Sequence, residues 1–223
     1  MSAEVKICGL KTLDDLEAAI AAGASHYGMV FFPRSPRNVA HTDAARLSEA
    51  GRGRIKSVAL VVDATDAEID AVISAANPDM IQLHGREPPK RAAEIRQRTA
   101  RPVIKAISVE REGDAENASS YRDAADLILF DAKPPRGMLG ALPGGNGLTF
   151  DWRLLSPLRG NMRFMLSGGL NAGNVADAIA LTGAAIVDVS SGVETAPGEK
   201  DAALIHQFVR ASRAAALEEI ANG

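Results

Sequence analysis

The chain has 223 residues, of which 46% are hydrophobic and 24% charged, and its formal net charge is −3. A globular domain of this length buries a large core without help from disulfides or metal ions. The nearly balanced charge gives no electrostatic reason to bind nucleic acid or an anionic membrane. One cysteine, no run of about 18 apolar residues and no signal-peptide pattern at the start predict a cytoplasmic protein without a membrane span.

Short apolar runs rich in β-branched residues alternate with longer amphipathic segments along the whole chain. The apolar runs predict eight strands, over Val5–Cys8, Tyr27–Phe31, Ser57–Val62, Met80–Leu83, Val103–Ile107, Leu127–Phe130, Arg163–Leu166 and Ala185–Val189. The amphipathic segments predict helices over Leu13–Ala22, Asp43–Ala50, Ala67–Ala76, Lys90–Gln97, Trp152–Leu158, Val175–Leu181 and Ala202–Ile220, with a weaker pattern at 114–124. Thr12, Thr65 and Asn171 stand before such segments, where a side-chain oxygen can accept the free N–H groups of a helix start.

Eight strand–helix repeats indicate parallel strands joined by right-handed crossovers. A doubly wound open sheet produces a similar alternation, but strands this short and evenly spaced favour closure into a barrel. Because the chain contains no low-complexity linker and no shift in composition, residues 1–223 are predicted to form one α/β domain, a single (β/α)8 TIM barrel. The irregular stretch 131–150 is rich in proline and glycine, and we expect it to be functional or mobile, with 144–147 in a flexible lid.

Active sites of parallel barrels lie at the carboxyl ends of the strands, so the residues that leave each strand carry the functional prediction. The loops after the seventh and eighth strands combine glycines with serines. Paired glycines let backbone N–H groups approach an anion closely, and these two loops are the recurring phosphate site of the fold. Either loop alone would also suit a tight turn without a ligand, but the two together favour phosphate binding. The candidate substrate-binding residues here are Gly168, Gly169, Asp188, Ser190, Ser191 and Gly192.

Two ionisable groups leave the strands on either side of this loop pair: Cys8 ends the first strand, and Asp131 follows the sixth. A free cysteine is often only a small buried hydrophobe, and an aspartate at such a position is often only a loop cap. Because strands one and six flank strands seven and eight in a barrel, the two side chains would face a phosphate-anchored substrate as a base and an acid. A thiol base with a pKa near 7 would need roughly 2 kcal/mol of thiolate stabilisation from N–H groups or a lysine.

The loops after the second and fourth strands supply further polar candidates. Arg34 and Arg37 lie in a proline-bounded loop on the other side of Cys8, where a guanidinium can grip a second anion with two hydrogen bonds, although such arginines are also commonly surface charge. His84 is either a titrating group or substrate donor, or a hydrogen-bonded structural histidine. The chain has no motif with metal-ligand spacing or a dinucleotide-binding context, so neither a metal nor an organic cofactor is predicted.

Seven segments that follow one another from the first strand to the eighth resemble the phosphoribosylanthranilate isomerase family of tryptophan synthesis. They are KICGL at 6–10, FFPRSPR at 31–37, QLHG at 82–85, FDAK at 130–133, GGNGLTFDW at 144–152, LSGGLN at 166–171 and DVSSGVE at 188–194. The combination of KICG near the start with DVSSGVE near the end is highly specific.

The resemblance implies a barrel enzyme that converts N-(5′-phosphoribosyl)anthranilate to 1-(2-carboxyphenylamino)-1-deoxyribulose 5-phosphate by an Amadori rearrangement, without a cofactor. It implies that Asp131 protonates the furanose ring oxygen, that Cys8 removes the C2 proton, and that Arg37 holds the anthranilate carboxylate. The expected partner is therefore a phosphorylated small molecule, not nucleic acid or a membrane, and the chain is expected to be a monomer or a homodimer.

Two rival interpretations predict different behaviour. The related aminoaldose isomerase of histidine synthesis uses aspartates at the ends of strands one and five, whereas this chain has Cys8 on strand one and no carboxylate in the segment 106–108. A catalytically silent barrel would keep the phosphate loops and bind a phosphorylated regulator without turnover.

Overall fold

The computed structural model describes residues 3–133, 144–145 and 147–221, in which eight parallel strands close into one barrel in the order of the chain. The strands are β1 Glu4–Cys8, β2 His26–Phe31, β3 Lys56–Val61, β4 Met80–Leu83, β5 Val103–Val109, β6 Leu127–Ala132, β7 Phe164–Leu166 and β8 Ile186–Val189. Because β8 pairs with β1, the sheet has no free edge. The predicted barrel is confirmed, and the alternative of an open sheet is wrong.

Six α-helices connect or follow the strands in the described part of the chain: α1 Leu13–Ala22, α2 His41–Gly51, α3 Asp66–Ala76, α4 Pro89–Thr99, α5 Val175–Thr182 and α6 Ala202–Ala221. The segments Asp114–Tyr121, Trp152–Leu158 and Ser191–Val193 form 3-10 helices, and a hairpin of β9 Glu194–Ala196 and β10 Glu199–Lys200 follows β8. The helix predicted at Trp152–Leu158 is present with these bounds, as a 3-10 helix that contains Pro157. None of the described helices is long and apolar enough to cross a membrane.

The local chemistry of the helix starts is largely as predicted. Thr12 and Thr65 each form a capping box, in which the hydroxyl accepts the N–H of the residue three positions on and the side chain of that residue accepts the N–H of the threonine. The third predicted cap is wrong, because α5 begins at Val175, after Asn174. Asn171 lies in the turn before it and donates its N–H to the side-chain oxygen of Asn174 at 2.8 Å.

Strand pairing brings distant parts of the sequence together at one end of the barrel. β1 and β8 are paired close to their last residues, so Cys8 and Ser190 leave the barrel side by side. β6 and β7 are paired in the same way, which places Asp131 beside Ser167. Side chains from five strands form a buried cluster, among them Val58, Ile104, Leu129, Met165 and Ile186. A barrel filled in this way is a packed core, so a ligand is held at the ends of the strands.

Candidate active site

A pocket at the carboxyl ends of the strands is lined by all but one of the predicted site residues. Its empty volume is about 730 Å³ with the open mouth included. Residues from opposite ends of the chain meet there because the barrel is closed between β1 and β8. The predicted residues in its lining are Cys8, Arg37, His84, Asp131, Gly168, Gly169, Asp188, Ser190 and Ser191.

The predicted lid contributes to the same pocket. Gly144, Gly145, Gly147 and Leu148 line it. A Cβ on Gly144 would lie 2.6 Å from Oδ2 of Asp131, so this backbone passes directly over the aspartate. Residues 134–143 and 146 of the predicted stretch 131–150 lie outside the described residues.

Two predicted glycines allow the loops around the pocket to touch. Gly192 is the predicted residue that does not line the pocket, and a Cβ there would overlap the carbonyl oxygen of Leu170. Gly168 has φ +91°, a left-handed conformation that favours glycine, and a Cβ there would lie 2.7 Å from the backbone nitrogen of Ala132. The absence of a side chain at Gly192 therefore lets the loop after β8 approach the loop after β7. The absence of a side chain at Gly168 lets the loop after β7 approach the backbone next to Asp131.

Cys8 lies in a buried cluster of charged groups. Its neighbour Lys6 is completely buried; the ammonium of Lys6 donates to Oδ1 of Asp188 at 2.8 Å and interacts electrostatically with the thiol. Oδ2 of Asp188 accepts from Oγ of Ser167 at 3.3 Å. Asp188 was predicted to bind substrate; its carboxylate lines the pocket and also accepts from these two protein donors. Lys6 was not predicted, although a lysine inside an apolar strand is itself a signal of a buried partner.

Burial raises the pKa of the Cys8 thiol above its ordinary value, because a thiolate loses its hydration there. The ammonium groups of Lys6 and Lys200 act in the opposite direction, while Asp188 adds to the upward shift. Burial alone would lower the pKa of Lys6, but Asp188 and Cys8 raise it, so Lys6 keeps its charge. The pKa of Cys8 is therefore shifted upward, whereas the prediction from the sequence was a downward shift toward about 7.

Asp131 is held by a chain of polar groups that begins inside the barrel. Oδ2 of Asp131 lies 3.2 Å from Nε2 of His84, and Nδ1 of His84 lies 2.8 Å from the amide nitrogen of Gln82. With the Gln82 amide in this orientation, its nitrogen donates to Nδ1, and Nε2 then carries the proton that is donated to Asp131. The other carboxylate oxygen accepts the N–H of Ala132 at 2.8 Å. His84 is thus hydrogen-bonded at both ring nitrogens, lines the pocket and touches the predicted acid.

The two arginines of the loop after β2 have different environments. Arg34 is exposed, whereas Arg37 is only 5% exposed and lines the pocket. Nε and Nη2 of Arg37 donate to the two carboxylate oxygens of Glu194, both at 2.8 Å. Glu194 and its second partner Lys200 are also buried in their side chains, and neither was predicted to belong to the site. Glu194 belongs to the DVSSGVE segment, but no neighbouring residue in the sequence indicates that it pairs with Arg37.

The loops after β7 and β8 form the wall beside Cys8. Gly168 and Gly169 both have positive φ, so the chain turns tightly where it lines the pocket. Ser190 donates its hydroxyl to the carbonyl oxygen of Cys8 at 3.1 Å, which ties this loop to the end of β1. Among the described residues, no group of three or more His, Cys, Asp or Glu side chains is placed to hold a metal ion.

A closed (β/α)8 barrel with a buried thiol and carboxylic acid in one pocket, flanked by an arginine and by two glycine-rich loops, belongs to the class of barrel enzymes that act on phosphorylated small molecules. The family described as N-(5′-phosphoribosyl)anthranilate (PRA) isomerase matches residues 5–211, and the chain belongs to this family.

Individual relatives agree with this assignment. The chain is 54% identical over 215 residues to an N-(5′-phosphoribosyl)anthranilate isomerase of Rhizobium meliloti (strain 1021), a match that covers 96% of this chain and 99% of the relative. A crystal structure of phosphoribosyl anthranilate isomerase from Thermotoga maritima superposes with a TM-score of 0.84 at 38% identity, over 95% of this chain and 99% of that one. Another solved isomerase is in complex with reduced 1-(o-carboxyphenylamino)-1-deoxyribulose 5-phosphate; its TM-score is 0.82 at 36% identity, over 95% and 99% of the two chains.

Proposed function

We propose that this chain isomerises N-(5′-phosphoribosyl)anthranilate to 1-(2-carboxyphenylamino)-1-deoxyribulose 5-phosphate, with Asp131 as the acid and Cys8 as the base. The proposal depends chiefly on one observation: these two buried groups line one pocket together with buried Arg37 and two glycine-rich loops. The substrate carries an anion at each end, a phosphate and an aromatic carboxylate, and the pocket offers a separate polar site for each.

Asp131 acts in the first half of the reaction. It donates its proton to the furanose ring oxygen as the C1–O bond breaks, and the nitrogen lone pair forms the C=N bond of a protonated Schiff base. His84 Nε2–H then donates to the carboxylate that remains, since the two groups are already in hydrogen-bond contact. Gln82 keeps the histidine in the tautomer that can do this.

Cys8 acts in the second half. Its thiolate takes the proton from C2, and the electrons of that C–H bond move toward the positively charged nitrogen to give an enolamine. Tautomerisation of the enolamine places a proton on C1 and leaves a ketone at C2, so hydrogen moves between carbons and no oxidant or reductant is consumed. Lys6 and Lys200 favour the thiolate that this step requires.

The anionic ends of the substrate are bound on the two sides of Cys8. Arg37 holds the carboxylate of the anthranilate ring, because a buried guanidinium recognises a carboxylate strongly. Gly168, Gly169, Ser190 and Ser191 hold the phosphate with backbone N–H groups and hydroxyls. With both ends bound, C1 and C2 of the sugar lie between the acid and the base.

Turnover of freshly prepared phosphoribosylanthranilate, followed by the loss of its fluorescence, tests the function directly. A folded sample that binds the reduced product analogue but does not turn the substrate over would instead be the silent barrel. We expect the enzyme to act in the cytoplasm as a monomer or a homodimer. Light scattering during size-exclusion chromatography distinguishes these two states, both of which are named for a solved Thermotoga maritima isomerase.

A further inference from the structure

The proposed mechanism gives no role to the buried carboxylate that pairs with Arg37. Glu194 is the first residue of β9, directly after the loop that follows β8, and its side chain is 4% exposed. Both of its oxygens are bound by the guanidinium of Arg37. An ionised carboxylate at such depth is costly unless its partners are well placed, so its position in the site calls for a physical explanation.

The pairing with Glu194 fixes the orientation of Arg37. Two parallel hydrogen bonds through Nε and Nη2 hold the guanidinium plane at one edge, which a single hydrogen bond would not do. The remaining nitrogen, Nη1, faces the lid, since a Cβ on Gly145 would lie 2.7 Å from it. Gly145 lines the pocket, so the edge of the guanidinium that Glu194 does not use lies at the pocket wall.

Lys200 supplies the second cation that this buried carboxylate needs. Its ammonium donates to Oε1 of Glu194 at 2.7 Å and to the carbonyl oxygen of Ser190 at 2.9 Å. Arg37 and Lys200 together hold the pKa of Glu194 below its ordinary value, against the upward effect of burial. The carboxylate therefore stays ionised and joins the arginine to the loop that lines the phosphate side of the pocket.

We propose that Glu194 is a positioning residue for substrate recognition: it holds Arg37 in the orientation that receives the carboxylate of the aromatic ring. Without Glu194, the long arginine side chain would have to be ordered by the substrate itself, which weakens binding of the carboxylate end. This inference rests on the proposed function, because the ligand of Arg37 is taken to be the anthranilate carboxylate. It adds a residue that touches no substrate atom yet determines which substrates bind well.

Binding of two ligands to the Glu194→Gln variant tests the proposal. One ligand is reduced 1-(o-carboxyphenylamino)-1-deoxyribulose 5-phosphate, and the other is its phenylamino counterpart without the carboxylate. A glutamine side chain has only one oxygen, so it can accept from only one of the two Arg37 nitrogens. Its NH2 group would face the other nitrogen, which is also a donor. We expect the Kd of the carboxylated ligand to rise at least about tenfold and that of the other ligand to change less than about twofold.

The ratio of the two Kd values, measured on one sample, does not depend on how much of the protein is folded. A ratio equal to that of the unaltered protein would overturn the proposal, whether both affinities fall or neither does. If Glu194→Gln does not fold, Glu194→Asp keeps the charge balance but shortens the reach, and it should change the ratio in the same direction.

A matched control uses the exposed fork between Arg54 and Glu17, whose contacts are 2.6 and 2.7 Å. Glu17→Gln breaks the same kind of pair on the surface and should leave the ratio unchanged. Turnover by the unaltered protein is measured in parallel, so that failure of the proposed function is seen separately from failure of this inference.

Discussion

Replacement of Lys6 by methionine tests whether a buried ammonium group sustains the thiolate of Cys8. Lys6 is completely buried, donates to Asp188 and acts electrostatically on the thiol. Methionine has a similar length but no charge, so the variant removes a cation from beside the thiolate. It also leaves the carboxylate of Asp188 without its cation. Both changes should raise the pKa of Cys8 further above its ordinary value, since each makes the thiolate less favourable.

The size of the effect follows from the charges involved. Two unit charges about 4 Å apart interact by about 4 kcal/mol at an effective dielectric constant of about 20, and about 1.4 kcal/mol corresponds to one pKa unit. About 4 kcal/mol would be about three units, and a greater separation or the uptake of a proton by Asp188 would reduce the effect, so we expect a shift of about one to three units. At pH values below the pKa of Cys8, kcat/KM rises tenfold per pH unit because the fraction of thiolate rises tenfold. The variant should therefore lose about 10- to 1000-fold in kcat/KM near neutral pH and recover activity as the pH is raised.

The assay is kcat/KM measured from about pH 6 to about pH 10, with folding checked by thermal unfolding. Lys105→Met is the matched control, because Lys105 forms an equally buried pair with Glu87 at 2.7 Å. Each variant should lose about 3–5 kcal/mol of stability by breaking a buried pair. Only Lys6→Met should move the rising limb of the pH profile to higher pH. An unshifted limb in Lys6→Met, or an equal shift in both variants, would refute the reasoning.

Three other predictions concern the base, the carboxylate site and stability in acid. Cys8→Ser should keep the melting temperature and the affinity for the product analogue but lose about 10²- to 10⁴-fold in kcat, because a hydroxyl is a far weaker base; near-normal kcat would mean that another group is the base. Arg37→Ala should raise KM about 10- to 100-fold with a smaller effect on kcat, and an unchanged KM would place the carboxylate site elsewhere. Burial lowers the pKa of His26 from 6.5 to about 4. Between these two pH values the unfolded chain binds a proton at His26 and the folded chain does not. About 3 kcal/mol of stability should be lost between about pH 6.5 and pH 4, and His26→Gln should abolish that part of the loss in urea unfolding; an unchanged loss would show that His26 is not its source.

The amino-acid sequence alone determined the features that depend on neighbouring residues. The alternation of strands and helices, and the capping boxes at Thr12 and Thr65, arise from patterns that span only a few residues. Cys8 and Asp131 could be proposed as a pair because the barrel rule places every strand end on one face. The capping prediction failed at Asn171, because a turn separates this residue from the helix and its side chain accepts the N–H of Gly173 within that turn.

Only the tertiary structure decided how the charged groups of the site are paired. Glu194 lies 157 residues from Arg37, and Asp188 lies 182 residues from Lys6, so no local pattern links the partners. Their contacts depend on which strands become neighbours when the barrel closes and on the register between them. The direction of the pKa shift at Cys8 was hidden from the sequence for the same reason. It is set by how deeply the closed barrel buries the thiol, and burial there outweighs the nearby cations.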